Sequence, residues 1–493
     1  MTSHRPAIVV AVAGVLLLLS GAATFVDPDA WHLMALAREI VTLGSMPLTD
    51  RFAYTPTVFP VVQHEWGTGM LLYVLATHGG IVALQIARCL LIAVLVLGAL
   101  RVARLRGATP GVLAALAAPA IVMSWIGLTA LRPQLITLAF LSVWLQLIES
   151  DRRGERRWIP MALAGHVVWL NMHGGFVVGM AFLGLHALEQ AARRRPWGHI
   201  VGTLLAMALL VAVNPYGLSY YGYLADALTM ARPLIGEWGP IWKAHPVGFG
   251  VYLATVAIAG VALVQTGLAR ADGWPILAAS TYLAASHERH VSIYALVWFA
   301  YVPGLVASTP AGRVVQRLWE RPPTVATYAT GLAALAVSAS FFLSRHPWRL
   351  TVPGTTPDGA PAAYPVGPVD YLAANDVRAN LLLPFGVGAF VSWKLHPHIK
   401  VSLDSRYEVA FPPELLVAHL DFFAARPGWR DFLDTYPTDL VLAPARAPVV
   451  DALATQTAWT IVYRDDAYVL LVRPGLALPA RDRRGDRLVG TFP

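Results

Sequence analysis

The chain has 493 residues, of which 56% are hydrophobic and only 13% are charged, whereas an ordinary soluble domain is about 25% charged. This balance excludes a water-soluble enzyme and an intrinsically disordered chain, and it predicts a polytopic α-helical membrane protein. The formal net charge is +8. In membrane proteins such a surplus lies mostly in cytoplasmic loops, so it does not indicate nucleic-acid binding. The single cysteine, Cys89, excludes a disulfide framework or a Cys-based metal site within one chain.

An apolar stretch at residues 7–25 follows a short basic N-terminus and could be a cleaved signal peptide or an uncleaved first helix. We favour the uncleaved helix because many apolar segments follow it. Residues 67–77 are too few to cross a membrane and predict an interfacial or re-entrant helix. Of the later segments, 158–171 and 274–287 are shorter than the ~20 residues that a crossing prefers. The complete set of later segments is 80–103, 110–128, 133–149, 158–171, 175–191, 198–213, 246–267, 274–287, 290–308 and 324–343.

Clusters of arginine decide the topology of these segments. Lys and Arg near span ends mark the cytoplasmic side, and one crossing per segment from a cytoplasmic N-terminus puts every cluster on that side. We therefore expect about 11 transmembrane helices in the inner (cytoplasmic) membrane, with the C-terminus outside. The clusters are Arg101/Arg104/Arg106, Arg152/Arg153/Arg156/Arg157, Arg193/Arg194/Arg195, Arg270 and Arg313/Arg317/Arg321.

The same topology puts several polar motifs into the external loops. Ionisable groups at membrane depth are costly and tend to mark functional sites, so the site is expected on the external face. Besides the first external loop at 26–66, the motifs are Arg132-Pro133-Gln134, Asn171-Met172-His173-Gly174-Gly175, Asn214-Pro215-Tyr216-Gly217, Glu237-Trp238-Gly239-Pro240 and His287-Glu288-Arg289-His290.

The composition becomes soluble-like near Arg345, which predicts a membrane domain at 1–344 and an external α/β domain at 345–493. Short apolar runs between turn residues predict strands, and helical spacing predicts helices. The polar run Asp404-Ser405-Arg406-Tyr407-Glu408 follows one of these strands, where it is either a binding position of an α/β sheet or a salt-bridged strand end. The predicted strands are 380–384, 400–403, 440–443, 460–464 and 468–473, of which the last two form a hairpin, and the predicted helices are 413–424 and 449–455.

Acidic residues mark the first external loop. A helix is predicted over 29–43 with an aspartate at its start. Two interpretations of that start stay open. Asp29 could be a general base that takes the proton of an acceptor hydroxyl, or Asp27 and Asp29 could only cap the free N–H groups of the helix. The loop acids could also hold a divalent cation through oxygen ligands, for which the candidates are Asp29, Asp50 and Glu65.

After the first apolar segment the chain continues as Asp29-Ala30-Trp31-His32-Leu33-Met34-Ala35-Leu36-Ala37-Arg38-Glu39-Ile40, and Gly44, a proline, Asp50 and His64-Glu65 follow. This loop resembles the first external loop of the GT-C superfamily of membrane glycosyltransferases, and most of all that of the aminoarabinose transferases and protein O-mannosyltransferases. One departure is Ala30, because the pattern has a second acid directly after the first. The second acid here would be Asp27, Asp50 or Glu65, which leaves the metal question open.

The resemblance implies a GT-C-like fold and an inverting transfer of a sugar from a polyprenyl-phosphate donor in the lipid bilayer. The acceptor would be a glycan, a lipid or a protein on the external face. Asp29 would be the catalytic base, accompanied by Asp27 or Glu65. Asp50, His64, Asp404 and Arg406 are candidates for acceptor binding or for support of the loop.

Fixed cations would stabilise the lipid-phosphate leaving group as its charge develops. The external candidates are Arg132, Arg289, His173 and His290. Arg132 could instead reach from a helix end to the lipid headgroups, and His173 could be an interhelical hydrogen bonder.

Two other functions compete with a glycosyltransferase. The first is a lipid or solute transporter or flippase, and the second is a non-catalytic assembly protein of the cell envelope. Transporters often contain inverted repeats and polar groups near the membrane midplane. No repeat is visible here and the ionisable residues gather at one face, which favours an enzyme.

Overall fold

The computed structural model describes Gly14 and residues 26–129, 132–230, 232, 235–321, 324–345, 350, 352–354 and 364–493. Apart from Gly14, the predicted first helix at 7–25 lies outside the described residues. The chain divides into two compact units. One comprises Met1–Ala23 and Gln85–Pro347, and the other comprises Thr24–Leu84 and Trp348–Pro493.

All the secondary-structure elements described in the first unit are helices. Every apolar segment predicted between residues 80 and 343 contains a helix. Three helices of the described residues are long and apolar enough to cross a membrane, namely Trp66–Leu105, Pro246–Thr266 and Glu288–Ser308. The number of crossings stays a prediction. The helices are α2 (Trp66–Leu105, shared with the second unit), α3 (Pro110–Thr129), α4 (Pro133–Arg152), α5 (Trp158–Met172), α6 (Phe176–Ala192), α7 (Gly198–Leu210), α8 (Ser219–Thr229), α9 (Pro246–Thr266), α10 (Trp274–Ser286), α11 (Val291–Ser308), α12 (Pro310–Trp319) and α13 (Val325–Arg345).

Helix α2 is broken near its middle. Gly80 has φ 58° and ψ −155°, a conformation that residues with a Cβ rarely adopt. Residues 66–79 are therefore a separate helical segment, in agreement with the short helix predicted at 67–77. Its interfacial or re-entrant position stays a prediction.

Buried ion pairs join the helices of the first unit near the predicted cytoplasmic clusters. Arg152 pairs with Glu189 at 2.8 Å and also with Glu149, which accepts from Arg106 at 2.8 Å. Glu189 accepts in addition from the backbone N–H of Gly273 at 2.7 Å. Buried charges are tolerated when they are paired and hydrogen-bonded in this way, so these arginines pack inside the bundle.

A six-stranded mixed sheet forms the centre of the second unit, with strand order β3-β2-β4-β6-β5-β7. β2 is parallel to β3 and β4, whereas β6 is antiparallel to β4 and to β5, its partner in the predicted hairpin. All five predicted strands are present. The strands are β1 (Val352–Pro353), β2 (Ala379–Leu382), β3 (Ile399–Val401), β4 (Leu440–Pro444), β5 (Thr460–Arg464), β6 (Tyr468–Val472), β7 (Arg481–Asp482) and β8 (Val489–Gly490), where β1 and β8 form a separate pair.

Helices cover this sheet, and three of them were not predicted, namely α14 (Val366–Ala374), α15 (Phe385–Leu395) and α17 (Asp431–Thr435). Gly388 in the first turn of α15 has a packing reason, because a Cβ at this position would clash with the carbonyl oxygen of Leu403. The helices of the second unit besides α2 are α1 (Pro28–Leu43), α14 (Val366–Ala374), α15 (Phe385–Leu395), α16 (Pro413–Phe423), α17 (Asp431–Thr435) and α18 (Pro448–Gln456).

The first loop packs with the C-terminal residues, which differs from the predicted boundary between 1–344 and 345–493. Helix α1 packs against α15, and a Cβ on Gly69 of α2 would lie 2.6 Å from the carbonyl oxygen of Leu33 in α1. Residues 30–37 are all buried as a result. Because eight consecutive residues span about two helical turns, every face of this part of α1 is buried, which a pattern with one apolar face does not describe.

The loop after α1 covers the outer edge of the sheet. Ala53 forms a parallel bridge with Val401 of β3. The N–H of Val401 donates to the carbonyl of Phe52 at 2.9 Å, and the N–H of Tyr54 donates to the carbonyl of Val401 at 3.0 Å. Because an edge strand has unpaired backbone groups, this segment completes the hydrogen bonding of β3.

Candidate functional site

The two aspartates at the start of α1 have different environments, which bears on the two interpretations, capping and general base, that the sequence left open. Asp27 is the N-cap, and its carboxylate accepts from the N–H of Asp29 at 3.0 Å. It is 5% exposed. Asp29 lies in the first turn after Pro28 and is half-buried. Capping is therefore an observed role of Asp27, and Asp29 is the more accessible carboxylate at the positive end of the helix dipole.

Contacts along its length hold α1 in place. Trp31 is fully buried and packs edge-on against Phe390 of α15, with 5.2 Å between ring centroids. About two turns after Trp31 along α1, Arg38 donates to the carbonyl of Trp393 at 2.8 Å and lies over the Trp393 ring at 4.8 Å. A cation at the carboxyl end of a helix satisfies free carbonyl groups and the helix dipole, so Arg38 links α1 to the end of α15.

A buried triad of two carboxylates and one guanidinium joins the loop to the sheet. Arg406 donates to both carboxylate oxygens of Asp404 from Nε at 2.8 and 3.1 Å, and from Nη2 to Oδ2 at 2.6 Å. Its Nη1 donates to Asp50 Oδ2. The other oxygen of Asp50 accepts from the N–H groups of Phe52 at 2.9 Å and Ala53 at 2.6 Å. This brings together three of the four residues that the sequence proposed for acceptor binding or loop support.

Charge explains why Asp50 and Arg406 stay ionised although they are buried. Burial alone would raise the pKa of Asp50, but the Arg406 guanidinium and its hydrogen bond, with the two backbone donors, hold that pKa below its usual value. The carboxylates of Asp404 and Asp50 raise the pKa of Arg406 in turn. Asp50 and Arg406 thus fasten the loop, and their charged atoms point at each other.

His32 lies beside this triad without forming part of an ion pair at neutral pH. Burial lowers its pKa, and the nearby Arg406 charge lowers it further. Its Nε2 is 3.1 Å from Oε1 of Gln63, and its Nδ1 is 3.9 Å from Asp404. A neutral imidazole that donates to Gln63 ties α1 to the end of the loop.

The remaining loop candidates do not gather into a metal site. His64 and Glu65 lie side by side, with 3.5 Å between Nε2 and Oε1, and Asp50 is held by Arg406. Within the described residues, no group of three or more His, Cys, Asp or Glu side chains is arranged to hold a metal ion. The candidate cation ligands Asp29, Asp50 and Glu65 thus do not form such a group.

Two of the predicted phosphate-binding cations come together in the first unit. Arg132 Nη1 lies 3.3 Å from Oε2 of Glu237, and Arg289 Nη1 lies 3.5 Å from Oε1 of the same carboxylate. Arg132 precedes α4 as its N-cap, and Arg289 lies in the short 3-10 helix Glu288–His290 before α11. These two arginines from distant parts of the chain share one counter-ion.

The ring of Trp238 lies at the centre of a cluster of arginines and histidines, which we call the arginine cluster. Its ring has Arg289 at 4.4 Å and Arg232 at 4.2 Å, which are cation–π distances. His287 and His290 contact the same ring edge-on, at 5.3 and 6.0 Å between centroids. The predicted residue His290 therefore belongs to the cluster. Glu237, Trp238 and Arg232 were not among the predicted site residues, although the first two stood in a motif flagged by its position.

His173 has a different set of contacts from the arginine cluster. Its Nδ1 is 2.7 Å from Thr137 Oγ1 and accepts from the N–H of Gly175 at 3.0 Å. Thr137 accepts in turn from Trp169 Nε1 at 3.0 Å. These bonds join α4, α5 and the start of α6, which agrees with the alternative of an interhelical hydrogen bonder.

Three solved glycosyltransferase structures share the fold of nearly the whole chain. The arabinofuranosyltransferase AftD from Mycobacteria superposes with a TM-score of 0.55 and 18% identity over 95% of this chain. The apo oligosaccharyltransferase of Archaeoglobus fulgidus gives 0.57 and 10% over 90%, and apo ArnT from Cupriavidus metallidurans gives 0.51 and 15% over 94%. The chain has the GT-C fold.

The fold and the apolar helices together identify an integral membrane protein. The aligned region covers 97% of ArnT and 70% of the oligosaccharyltransferase, but only 41% of AftD. The chain thus spans less than half the length of AftD. No protein-family model matches the chain, and no curated protein matches it either. At these identities the likeness establishes the fold, and the GT-C prediction from the first loop is confirmed at that level.

Proposed function

We propose that this protein is an integral membrane glycosyltransferase that moves a sugar from a polyprenyl-phosphate donor to an acceptor on the external face of the inner membrane. The observation that carries the proposal is the GT-C fold, which extends over at least 90% of the chain in each of the three glycosyltransferase comparisons. The proposed orientation has a cytoplasmic N-terminus and about 11 crossings.

Asp29 is the proposed general base of an inverting transfer. It would take the proton of the acceptor hydroxyl while that oxygen forms the new bond to the anomeric carbon, and the polyprenyl phosphate would leave with the electrons of the broken bond. Two features of its position support this role. Its neighbour Asp27 already caps the helix, and the N-terminus of α1 stabilises a carboxylate charge.

The arginines at Glu237 are the proposed phosphate-binding residues. Guanidinium groups bind two phosphate oxygens at once, and they stabilise a phosphate more as its negative charge develops. Arg132 and Arg289 are 30% and 20% exposed, which leaves part of each side chain accessible. Arg132 and Arg289 belong to the first unit, and Asp29 belongs to the second.

The buried triad is the proposed support of the catalytic loop. Asp50, Asp404 and Arg406 are bonded to each other and to the backbone at 52 and 53. We therefore assign them to positioning of the first loop rather than to acceptor binding. The proposed acceptor is a glycan, a lipid or a protein on the external face.

The test compares cells that lack the protein with cells that carry Asp29→Asn, by mass spectrometry of lipids and envelope glycans. Both should accumulate an unused lipid-linked sugar and lack one glycan modification. The purified variant should bind the donor as the wild type does and transfer sugar at least about a hundredfold more slowly, since a positioned base contributes about 10² to 10⁴-fold.

The matched control is Asp421→Asn, which removes a carboxylate from the exposed pair with Arg426 in the same unit. It should transfer sugar at the wild-type rate. Unchanged glycans in the deletion cells, together with loss of uptake of a solute, would contradict the proposal and support a transporter.

A further inference from the structure

The Glu237 carboxylate lies between two arginines, in a position that a bound phosphate could also occupy. One carboxylate oxygen faces Arg132 at 3.3 Å and the other faces Arg289 at 3.5 Å. These distances are longer than the 2.7–2.9 Å of a tight charge-assisted hydrogen bond. The Glu237 side chain is 36% exposed, more than either arginine, so its carboxylate is the most accessible part of this arrangement.

The backbone around Glu237 is fixed by contacts that do not involve its carboxylate. Glu237 lies in the 3-10 helix Gly236–Trp238. Trp238 packs against Arg232 and Arg289, and the carbonyl of Gly239 accepts from the N–H of Glu288 at 2.9 Å. The backbone of Glu237 is therefore held in place, whereas its carboxylate can change rotamer and move away from Arg132 and Arg289.

We propose that Glu237 is an exchangeable counter-ion that occupies the phosphate position of the donor site when no donor is bound. This inference rests on the proposed function. The Glu237 carboxylate offsets the repulsion between the two guanidinium groups, because uncompensated positive charges are costly to keep near the membrane. When the donor binds, its phosphate oxygens take over the bonds to Arg132 and Arg289, and the carboxylate turns to solvent.

This exchange affects the release of the product. The polyprenyl phosphate that remains after sugar transfer carries more negative charge at its terminal oxygen than the donor phosphodiester does, so the arginines would hold it more tightly than the donor. Return of the Glu237 carboxylate competes with that phosphate for the same cations. Glu237 therefore lowers phosphate affinity, and its expected role is to help the spent carrier leave.

The experiment measures binding of geranylgeranyl phosphate and of geranylgeraniol, the alcohol without phosphate, to the full-length protein in detergent. Glu237→Gln should bind the phosphate at least about tenfold more tightly than the wild type does, and the alcohol equally. Glu237→Asp keeps the charge on a shorter side chain and should stay within about threefold of the wild type. The matched control is Glu155→Gln, because Glu155 pairs with Arg153 at 3.6 Å on an exposed surface. That variant should bind both probes as the wild type does.

The outcomes separate this inference from the proposed function. If the wild type binds the phosphate no better than the alcohol, the phosphate-binding role of the proposed function is wrong. If the wild type prefers the phosphate but Glu237→Gln binds it equally or more weakly, the counter-ion role is overturned and Glu237 only positions the arginines. Should the glutamine variant fail to fold, Glu237→Ala removes the same charge, and the same increase in phosphate affinity is required of it.

Discussion

Replacement of Arg406 by methionine tests the buried triad. The side chains of Arg406, Asp404 and Asp50 are 6%, 0% and 4% exposed. The change would leave two buried carboxylates without their cation, and removal of one partner from a buried ion pair costs about 3–5 kcal/mol. Asp50 keeps its two backbone donors and Asp404 keeps one, the N–H of residue 406, so the larger part of that loss falls on Asp404. We expect the free energy of holding the loop on the sheet to fall by about 3 kcal/mol or more.

Trypsin cleavage after Arg51 measures this loss at the loop itself. Arg51 follows Asp50, and its side chain is 49% exposed, but cleavage requires the flanking backbone to leave β3. When reclosing is faster than cleavage, the cleavage rate follows the population of the open form. A loss of about 3 kcal/mol should therefore raise the rate at this bond by about a hundredfold.

Two variants make the result specific to the triad. Arg426→Met removes an exposed partner of Asp421 in the same unit, where a surface pair contributes at most about 1 kcal/mol, so cleavage after Arg51 should be unchanged. Adding Asp404→Asn to Arg406→Met removes one uncompensated charge and should recover part of the protection. An increase of less than about tenfold in Arg406→Met would refute the assignment of the triad as the fastening of the loop.

Two further predictions concern the pH dependence of stability and the membrane topology. Burial lowers the pKa of His419 from 6.5 to about 4, so the stability it contributes is complete above pH 6.5 and is lost as the pH falls toward 4. Because its Nε2 is 2.7 Å from the carbonyl of Leu383, His419→Gln can keep the donor. It should show a smaller decrease in thermal midpoint between pH 7 and pH 4.5, and an equal decrease would contradict this origin. For the topology, a reporter fused after Pro493 should be active only outside the cytoplasm, and cytoplasmic activity would reverse the assignment of every loop.

Local patterns in the sequence were enough to predict the long apolar helices of the first unit and five strands of the second. Long apolar runs predict the helices of the first unit, because segments of that composition are stable only away from water. The strands at 440–444 and 468–472 are shorter apolar runs that are almost fully buried. The unpredicted helix α15 shows the limit of this approach. Its glycine at position 388 serves the close approach to Leu403, a tertiary contact that weakens the local helical signal.

The partners of the site residues could not be predicted, since they depend on contacts between distant parts of the chain. Arg406 bonds Asp50 across 356 positions, and Arg132 pairs with Glu237 across 105. The sequence indicated Arg406 and Arg132 as candidate site residues from the residues next to them in the chain. Their partners could not be predicted in this way, because a buried ion pair leaves no periodic pattern in the sequence. Glu237 stood in one of the external motifs but was not proposed as a site residue, because an acid was not expected among groups that bind phosphate.

The two aspartates at the start of α1 offer the most direct separation of structure from chemistry. Asp27→Ala removes the cap and should lower stability by about 1 kcal/mol, because the N–H of Asp29 then loses its acceptor. The same variant should retain most of its sugar transfer. Asp29→Asn keeps the helix and the cap, so its thermal midpoint should be close to that of the wild type while transfer falls at least about a hundredfold. If instead Asp27→Ala abolishes transfer with the helix intact and Asp29→Asn is active, the base is Asp27, and the cap observed here is its ground-state contact.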